Sequence, residues 1–481
     1  MTSFNTPDSQ ENKTLSAPSV LQACIPVTVL VLLLSLSVYL FGEDSSYGPN
    51  QIALCVGAAA AALIGWRNGK LWLEIEESIV YGITVAIKPL LILFCVGSLI
   101  GSWIMSGTVP TMIYYSLLIL DPSIFYSASC IICALIALSI GSSWTVAGTV
   151  GIALIGAAAG LGMSLEITAG AIISGSYFGD KMSPLSETTN LAPAVAGTDL
   201  FGHIGHMIWT TLPSILIALV LFTAIGLNID TTNTSSNLEI TMQLLSENFS
   251  INVFMLLPVI MLLVMANKKF PPIPTILAGV ILGVLIALIF QPYSLANIMT
   301  SIHKGFDTNM AFWIDSAPNN INVLFTRGGL YELNEAIIFS IMVFVFIGAI
   351  DLINSMPVIV DKTFAFIKSK SALIISSLFA TAFTNGITSN QSATSFIIGD
   401  AFKKRYDESG ISRKVLSRSI EDYGTMFESL IPWHATTIFL TLTLGVSYSE
   451  YWYWQLLSLI NLIIAPTLAL MGKGCFYKKD I

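Results

Sequence analysis

The chain has 481 residues, of which 54% are hydrophobic and only 10% charged, with a mean hydropathy of +0.78. A soluble domain carries about 25% charged residues, so a wholly water-facing protein of this size is excluded. The net charge of −8 says little about partners, because acids and bases fall in different loops. No basic patch points to nucleic acid.

Apolar runs of about 20 residues recur along the whole length, enough for a helix to cross a bilayer. The first 20 residues are polar, with Lys13 as their only base. They lack the basic start of a secretory signal and are read as a disordered cytoplasmic tail. Bases in short loops mark the cytoplasmic side. They cluster at Arg67 and Lys70, at Lys268 and Lys269, from Lys362 to Lys370, from Lys403 to Arg418, and from Lys473 to Lys479, whereas 42–50 and 228–250 have none. Threaded through these markers, a span over 21–41 leads out, 51–66 returns, and 84–105 leads out again. The pieces 124–140 and 145–160, each short of a full crossing, flank "GSSWT" and read as a re-entrant hairpin entered from outside. The stretch 166–200 crosses inward but is broken, and 205–227 crosses outward to an external linker, 228–250.

Five crossings is an odd number, so the second half must run upside down. Spans over 251–267, 272–290 and 336–355 come in, go out and come in. The pieces 371–386 and 393–402 flank "GITSNQ" between basic ends, a hairpin entered from the cytoplasm. A broken span over 415–447 exits, and 453–472 returns to the cytoplasmic tail 473–481. Weak matches link the halves. "VGSLIGSW" (96–103) meets "IGAIDLIN" at an offset of 251, Ser143 meets Asn390 at 247, and "YFGDKMSPL" (177–185) meets "DYGTMFESL" at 245. The expected fold is an all-α polytopic membrane protein, an inverted-topology repeat (21–227 and 251–472) of five crossings plus one re-entrant hairpin per half. Broken helices lie at the site. Inverted repeats with polar breaks at matching positions are a secondary-transporter signature, and irregular backbone at membrane depth survives only inside protein or along a cavity.

The break in the first half is "GDKMSPLSETTNLAP". Pro184 disfavours continued helix and frees carbonyls. Ser183, Thr188 and Asn190 add neutral oxygens, and Asp180 and Glu187 add charged ones. A hard cation such as sodium wants several oxygen ligands, so these five, with Glu428 of the second break, are the candidate cation and proton ligands; an extramembrane turn is the plain alternative. Lys181 could neutralise Asp180 or point to the cytoplasm. The hairpin tips offer Ser142, Ser143 and Thr145 in one half, and Asn385, Thr388, Ser389 and Asn390 in the other. Helix ends expose unpaired amides and carbonyls, so these tips could hold an ion or carboxylate, or merely join helices by hydrogen bonds. An ionisable group at membrane depth is functional by default, which singles out Glu428. Glu421 and Asp422 stand close to the basic 403–418 loop, where solvation or ion pairing is an equal alternative. Asp199, His203, His206 and His434 are candidate proton-relay groups. Lys88 and Asp351 could pair or sit near helix ends.

Two motifs mislead. "HIGH" (203–206) with "DKMSP" looks like a nucleotide-binding signature but needs a soluble doubly wound sheet around it. Cys130 and Cys133 form a CxxC inside an apolar helix with no second pair, which reads as packing. No catalytic triad, cofactor motif or metal set beyond transported Na+ emerges, so an enzyme is not expected.

The stretch "SYFGDKMSPLSETTNLAPAVAGTDLF" closely resembles NhaC-type sodium/proton antiporters, a branch of the ion transporter superfamily, and the likeness extends over most of the chain. The resemblance implies a multi-pass protein of the cell membrane exchanging Na+ for H+ on an inverted-repeat scaffold with two re-entrant hairpins; the charge pattern above places both termini in the cytoplasm. The resemblance also implies the lipid bilayer as partner and often a homodimer. Relatives with this motif exchange malate for lactate coupled to sodium and protons, so an organic acid is an alternative substrate.

Overall fold

A computed structural model describes residues 18–229, 234–268, 270–310, 325–363 and 369–475. Most of both predicted tails and the side chain of Lys88 lie outside the described residues. Among the described residues all regular structure is helical, and the β-type pairing is an isolated bridge between Phe306 and Arg327.

The first half contains α1 (Val20–Phe41), α2 (Pro49–Arg67), α3 (Trp72–Met105), α4 (Thr108–Ile119) and α5 (Phe125–Ile140), then α6 (Ser143–Leu161), α7 (Leu165–Met182), α8 (Glu187–Ala196) and α9 (Leu200–Leu227). The second contains α10 (Thr234–Asn248), α11 (Leu257–Asn267), α12 (Pro272–Phe290), α13 (Leu295–Lys304), α14 (Asn334–Leu352) and α15 (Ser355–Thr363), then α16 (Lys370–Thr388), α17 (Gln391–Glu408), α18 (Arg413–Tyr423), α19 (Thr425–Glu428), α20 (Ala435–Leu444), α21 (Tyr448–Tyr451) and α22 (Leu456–Met471). Among the described residues, seven helices are long and apolar enough to cross a membrane, or up to ten if bent pairs count as single spans. This is a multi-pass helical membrane protein.

Starts and stops follow local chemistry. Ser19 and Gln22 form a reciprocal capping box at α1, and side chains of Ser164, Asp199 and Ser369 cap α7, α9 and α16, supplying acceptors for amides that a helix start leaves unpaired; Pro49 opens α2, where it has no amide to leave unpaired. Long apolar helices fall within a few residues of expectation at α1, α2, α12 and α14. Other elements differ. The helices on either side of the first tip are not short pieces: Pro122–Ile140 and Ser143–Leu161 are each 19 residues long, the second running through a π-helical turn at Ala147–Gly151. The sequence break at "GSSWT" is only two residues deep, which is why both helices reach span length. The helix α3 begins twelve residues before the predicted span. The stretch read as a linker carries α10, whose Thr241 and Leu245 are buried and whose Thr241 hydroxyl donates to the Gly160 carbonyl at 3.4 Å. Helix α13 likewise docks on α3, its Ser301 hydroxyl donating to the Gly101 carbonyl at 3.0 Å.

Small residues set the tightest packing. A Cβ on Gly175 would stand 2.0 Å from the Cys130 carbonyl oxygen, and one on Gly179 would stand 2.3 Å from that of Ala134. Helices α5 and α7 therefore touch backbone to backbone, as small residues allow in membranes. Cys130 and Cys133 are fully buried free thiols in this contact, so the CxxC serves packing. Helix α9 is sided the opposite way from a soluble helix. Its apolar Phe201, Ile208, Leu212 and Val220 face outward, while His203, His206, Thr210 and Ser214 are buried.

Backbone landmarks recur at one constant offset. Left-handed Gly141, Gly162 and Gly197 match left-handed Ser389, Gly410 and Gly445; N-caps Ser142, Ser164 and Ser186 match Asn390, Ser412 and His434. Every pair is 248 residues apart. The alignments at 245 to 251 are thereby corrected: Asn390 pairs with Ser142 rather than Ser143, and Asp180 pairs with Glu428 rather than Thr425. Short matches of glycine and small residues slide easily, whereas helix caps do not.

Candidate functional site

The first break is narrower than the motif suggests. Helix α7 continues to Met182, so Asp180 and Lys181 occupy its last turn, and only Ser183–Ser186 separate it from α8. Side chains take up the carbonyls that Pro184 frees. Thr189 donates to the carbonyls of Asp180 and Lys181 at 3.2 and 3.0 Å, and Asn190 donates to those of Pro184 and Ser186 at 2.8 and 2.7 Å. Ser183 accepts from the Leu185 amide, and the hydroxyls of Ser186 and Thr188 are paired at 3.2 Å. Glu187 and Asn190 are exposed on the outer side of α8. Of the predicted ligands, Asp180 and Thr188 face inward together, while Glu187 is turned away.

Asp180 is 8% exposed, and its Oδ2 is held by the first hairpin tip: the Ser143 amide donates at 2.9 Å and the Ser143 hydroxyl at 2.6 Å. Ser142 does not reach it. Its hydroxyl caps α6, accepting from the Thr145 amide at 3.2 Å and the Thr145 hydroxyl at 2.9 Å. The carboxylate thus sits at a helix start, where unpaired amides favour negative charge.

The second break repeats this plan with different atoms. Glu428, at the end of α19, is 8% exposed and accepts from the Thr436 hydroxyl at 2.8 Å. Thr437 donates to the carbonyls of Glu428 and Ile431 at 3.0 and 2.7 Å, the counterpart of Thr189. His434 caps α20 and stands 3.5 Å from Asn385, which itself donates to the Gly424 carbonyl at 3.1 Å. At this tip Asn390 accepts from the Ala393 amide at 2.9 Å, Thr388 pairs with Thr394 at 3.0 Å, and Ser389 turns the chain with a φ of 46°. The Trp144 ring stacks on Phe439 of α20 with centroids 4.4 Å apart, tying the first tip to the second break.

Lys181 does not neutralise Asp180, nor does it point to the cytoplasm. Its ammonium is fully buried and paired with the fully buried Asp422. Asp422 also accepts from Thr210 at 2.9 Å and Asn461 at 3.2 Å, with Arg418 at 3.6 Å. One residue earlier, Glu421 is fully buried as well and accepts from the Thr425 hydroxyl at 2.7 Å. Neither side chain is solvated by the basic loop. Asp180, Glu421 and Glu428 lie within electrostatic range of one another. Among the described residues no three His, Cys, Asp or Glu side chains converge tightly enough to ligate one ion. A cation held here would take one or two carboxylates, with hydroxyls and carbonyls completing its shell.

The predicted relay divides. His203 is buried and bonded to Ser417 at 2.8 Å, and His206 is buried beside Arg418. Asp199, the N-cap of α9, accepts from the Gly202 amide at 2.5 Å and pairs with Lys414 at 3.3 Å, and these hold its carboxyl below the usual range, the amide bond first. His434 belongs to the other break. Sequence reasoning missed Ser143 as the direct partner of Asp180, and it missed Thr436. The second had a signal: "SPLSETT" (183–189) and "IPWHATT" (431–437) share a proline and a Thr-Thr pair 248 residues apart.

Two polar helix breaks facing each other within an apolar helical body define a membrane transporter. The Na+/H+ antiporter family model matches residues 175–473, and the chain belongs to that family. It is 34% identical over 459 residues to an uncharacterised Na+/H+ antiporter of Haemophilus influenzae, covering 95% of this chain and 97% of the relative. It is 34% identical over 402 residues to the Na+/H+ antiporter NhaC of Alkalihalophilus pseudofirmus (83% and 86% covered). It is 33% identical over 474 residues to the malate-2H+/Na+-lactate antiporter of Bacillus subtilis (97% and 98% covered).

Proposed function

We propose that the chain exchanges Na+ for H+ across the cell membrane, the two competing for buried carboxylates at the paired breaks. The observation that carries this reading is Asp180: it is buried at a helix break, bonded to the first hairpin tip through Ser143, and left without Lys181, which is committed to Asp422. A desolvated carboxylate favours its protonated form, and an arriving cation favours the ionised form, so occupancy by one excludes the other. Glu428 is its counterpart in the second half. Ser183, Thr188 and the tip residues Thr145, Asn385, Thr388, Ser389 and Asn390 shape the shell. Glu187 and Asn190 act through the fold of α8, and Asp199, His203, His206 and His434 conduct protons at the margins.

The 248-residue recurrence supports two repeats, 21–227 and 251–472, of inverted topology, with hairpins entering from opposite sides and both termini cytoplasmic. Opposed hairpins bring the two helix starts to a common depth. A homodimer follows from the family resemblance.

Sodium-driven proton movement in proteoliposomes tests the reading. Asp180→Asn keeps the shape and most oxygens, should insert normally, and should abolish exchange; Glu428→Gln should reduce or abolish it. Wild-type exchange by Asp180→Asn would overturn the proposal, and loss in Glu428→Gln alone would move the carrier to the second half. The Bacillus subtilis relative favours a second reading, organic-acid exchange coupled to Na+ and H+. Uptake of labelled malate or lactate by the same vesicles separates the two.

A further inference from the structure

Residues 325–333 form a strap before α14 that is fixed to α3 by its backbone. Gly328 and Gly329 both have a φ of 87°, which glycine adopts without strain, and a Cβ on Gly328 would stand 2.5 Å from the Gly101 nitrogen. The Gly329 amide donates to the Gly97 carbonyl of α3 at 2.7 Å, and the Leu330 amide donates to the Ile302 carbonyl of α13 at 2.9 Å. Just before them, Arg327 is half-buried, and its carbonyl accepts from the Phe306 amide at 3.0 Å. Its side chain leaves the strap and crosses to α20. There Nη1 donates to the Thr443 carbonyl at 3.5 Å, and Nη2 lies 2.8 Å from where a Cβ on Gly445 would be.

That end of α20 needs donors, because its last carbonyls have no amide within the helix. The Gly445 amide serves Thr441. The guanidinium covers Thr443 and complements the negative end of the helix dipole. The first half repeats this 248 residues earlier: α8 ends at left-handed Gly197, where a Cβ would stand 2.7 Å from Arg413 Nη1. The two arginines have different footings. Arg413 opens α18, which leads into the second break, and its Nε donates to Asp407 at 2.9 Å. Arg327 stands on α3, with Glu332 of its own strap in electrostatic range.

Helix α3 also meets the other half of the site. Its Val96 packs at Gly148 of α6, where a Cβ would stand 3.1 Å away, and α6 begins at Ser143, which holds Asp180. Through Arg327, the same helix holds the far end of α20. The first turn of α20 carries Thr436, the donor to Glu428, and its Phe439 stacks on Trp144 of the first tip. One helix with its strap therefore brackets both carboxylates.

We propose that Arg327 is a positioning residue of the exchange site: by clamping α20 to α3 it sets the Thr436–Glu428 half against the Ser143–Asp180 half. This rests on the Na+/H+ reading above. Arg327 touches neither carboxylate and acts through the placement of α20.

The test measures the apparent KM for Na+ and the kcat of exchange in proteoliposomes. Arg327→Gln should give monodisperse protein and raise the Na+ KM about tenfold, the worth of one hydrogen bond from a charged group. Its kcat should stay within about twofold, as when an interaction supports binding rather than the step itself. Arg327→Lys, which keeps the charge but not the fork, should give an intermediate KM. Added to Thr436→Ala, Arg327→Gln should raise the KM by no more than about twofold, since residues acting through one contact are not additive. A wild-type KM in Arg327→Gln, alongside loss of exchange in Asp180→Asn, would overturn this inference alone. An undiminished effect of Arg327→Gln on the Thr436→Ala background would overturn it too. Should Arg327→Gln not fold, Arg327→Lys decides: a raised KM supports the inference, while a wild-type KM, or failure of this variant to fold as well, overturns it. Wild-type exchange by Asp180→Asn would overturn the Na+/H+ site itself.

Discussion

Removing Lys181 or Asp422 should destabilise the protein unequally. Breaking a buried ion pair by deleting one partner costs about 3–5 kcal/mol, because the other charge is left desolvated and unpaired. Lys181→Met leaves Asp422 with two neutral donors, Thr210 and Asn461, and with Arg418 at 3.6 Å. Its cost should therefore fall at or below about 3 kcal/mol, the lower end of that range. Asp422→Asn leaves two fully buried cations, Lys181 and Arg418, facing a neutral amide, so its cost should reach about 5 kcal/mol, the upper end. The double variant Lys181→Met/Asp422→Leu removes both charges and should recover much of the loss, since well-packed apolar replacements of buried pairs are often neutral. Thermal unfolding in detergent, followed by fluorescence-detected size exclusion, ranks the three. Equal small losses in the single variants, or a double variant worse than either single, would refute the reasoning.

Gly179→Leu should prevent accumulation of folded protein, because its Cβ would meet the backbone at Ala134 and Leu138 within 2.5 Å, where no side chain can yield; wild-type expression would contradict the packing of α5 on α7. Ser142→Ala and Asn390→Ala should each lower stability by about 1 kcal/mol through loss of equivalent helix caps, read as similar falls in melting temperature. Asp199→Ala should lower the melting temperature at pH 7. Asp199 has a folded pKa depressed below its unfolded value, so its contribution is present above the unfolded value of about 3.9 and lost as pH falls through the folded one. The difference between variant and wild type should shrink on acidification. Single-cysteine labelling should find Lys70 and Lys404 accessible from the cytoplasm, and Ser235 and Tyr331 from outside; equal external access at 70 and 235 would overturn the inverted topology.

What the sequence determined by itself is local in origin. Apolar runs long enough to cross a bilayer, prolines at 184 and 432, and hydroxyl- and amide-rich turns at 141–145 and 384–392 identify a helical membrane protein with two breaks and two tips, because hydrophobic length and backbone chemistry act over a few turns. Helices α10 and α13 escaped notice because they are short and partly polar, and only their docking onto α6 and α3 makes them part of the body. The charged residues were the least legible. Glu421 and Asp422 are adjacent and chemically alike, yet successive residues on a helix point about 100° apart. That rotation turns one toward Lys181, 241 positions away in the chain, and the other toward the Thr425 hydroxyl on its own side of the break. Which carboxylate is neutralised is therefore decided by where distant helices cross, and a linear pattern of charges holds no record of that.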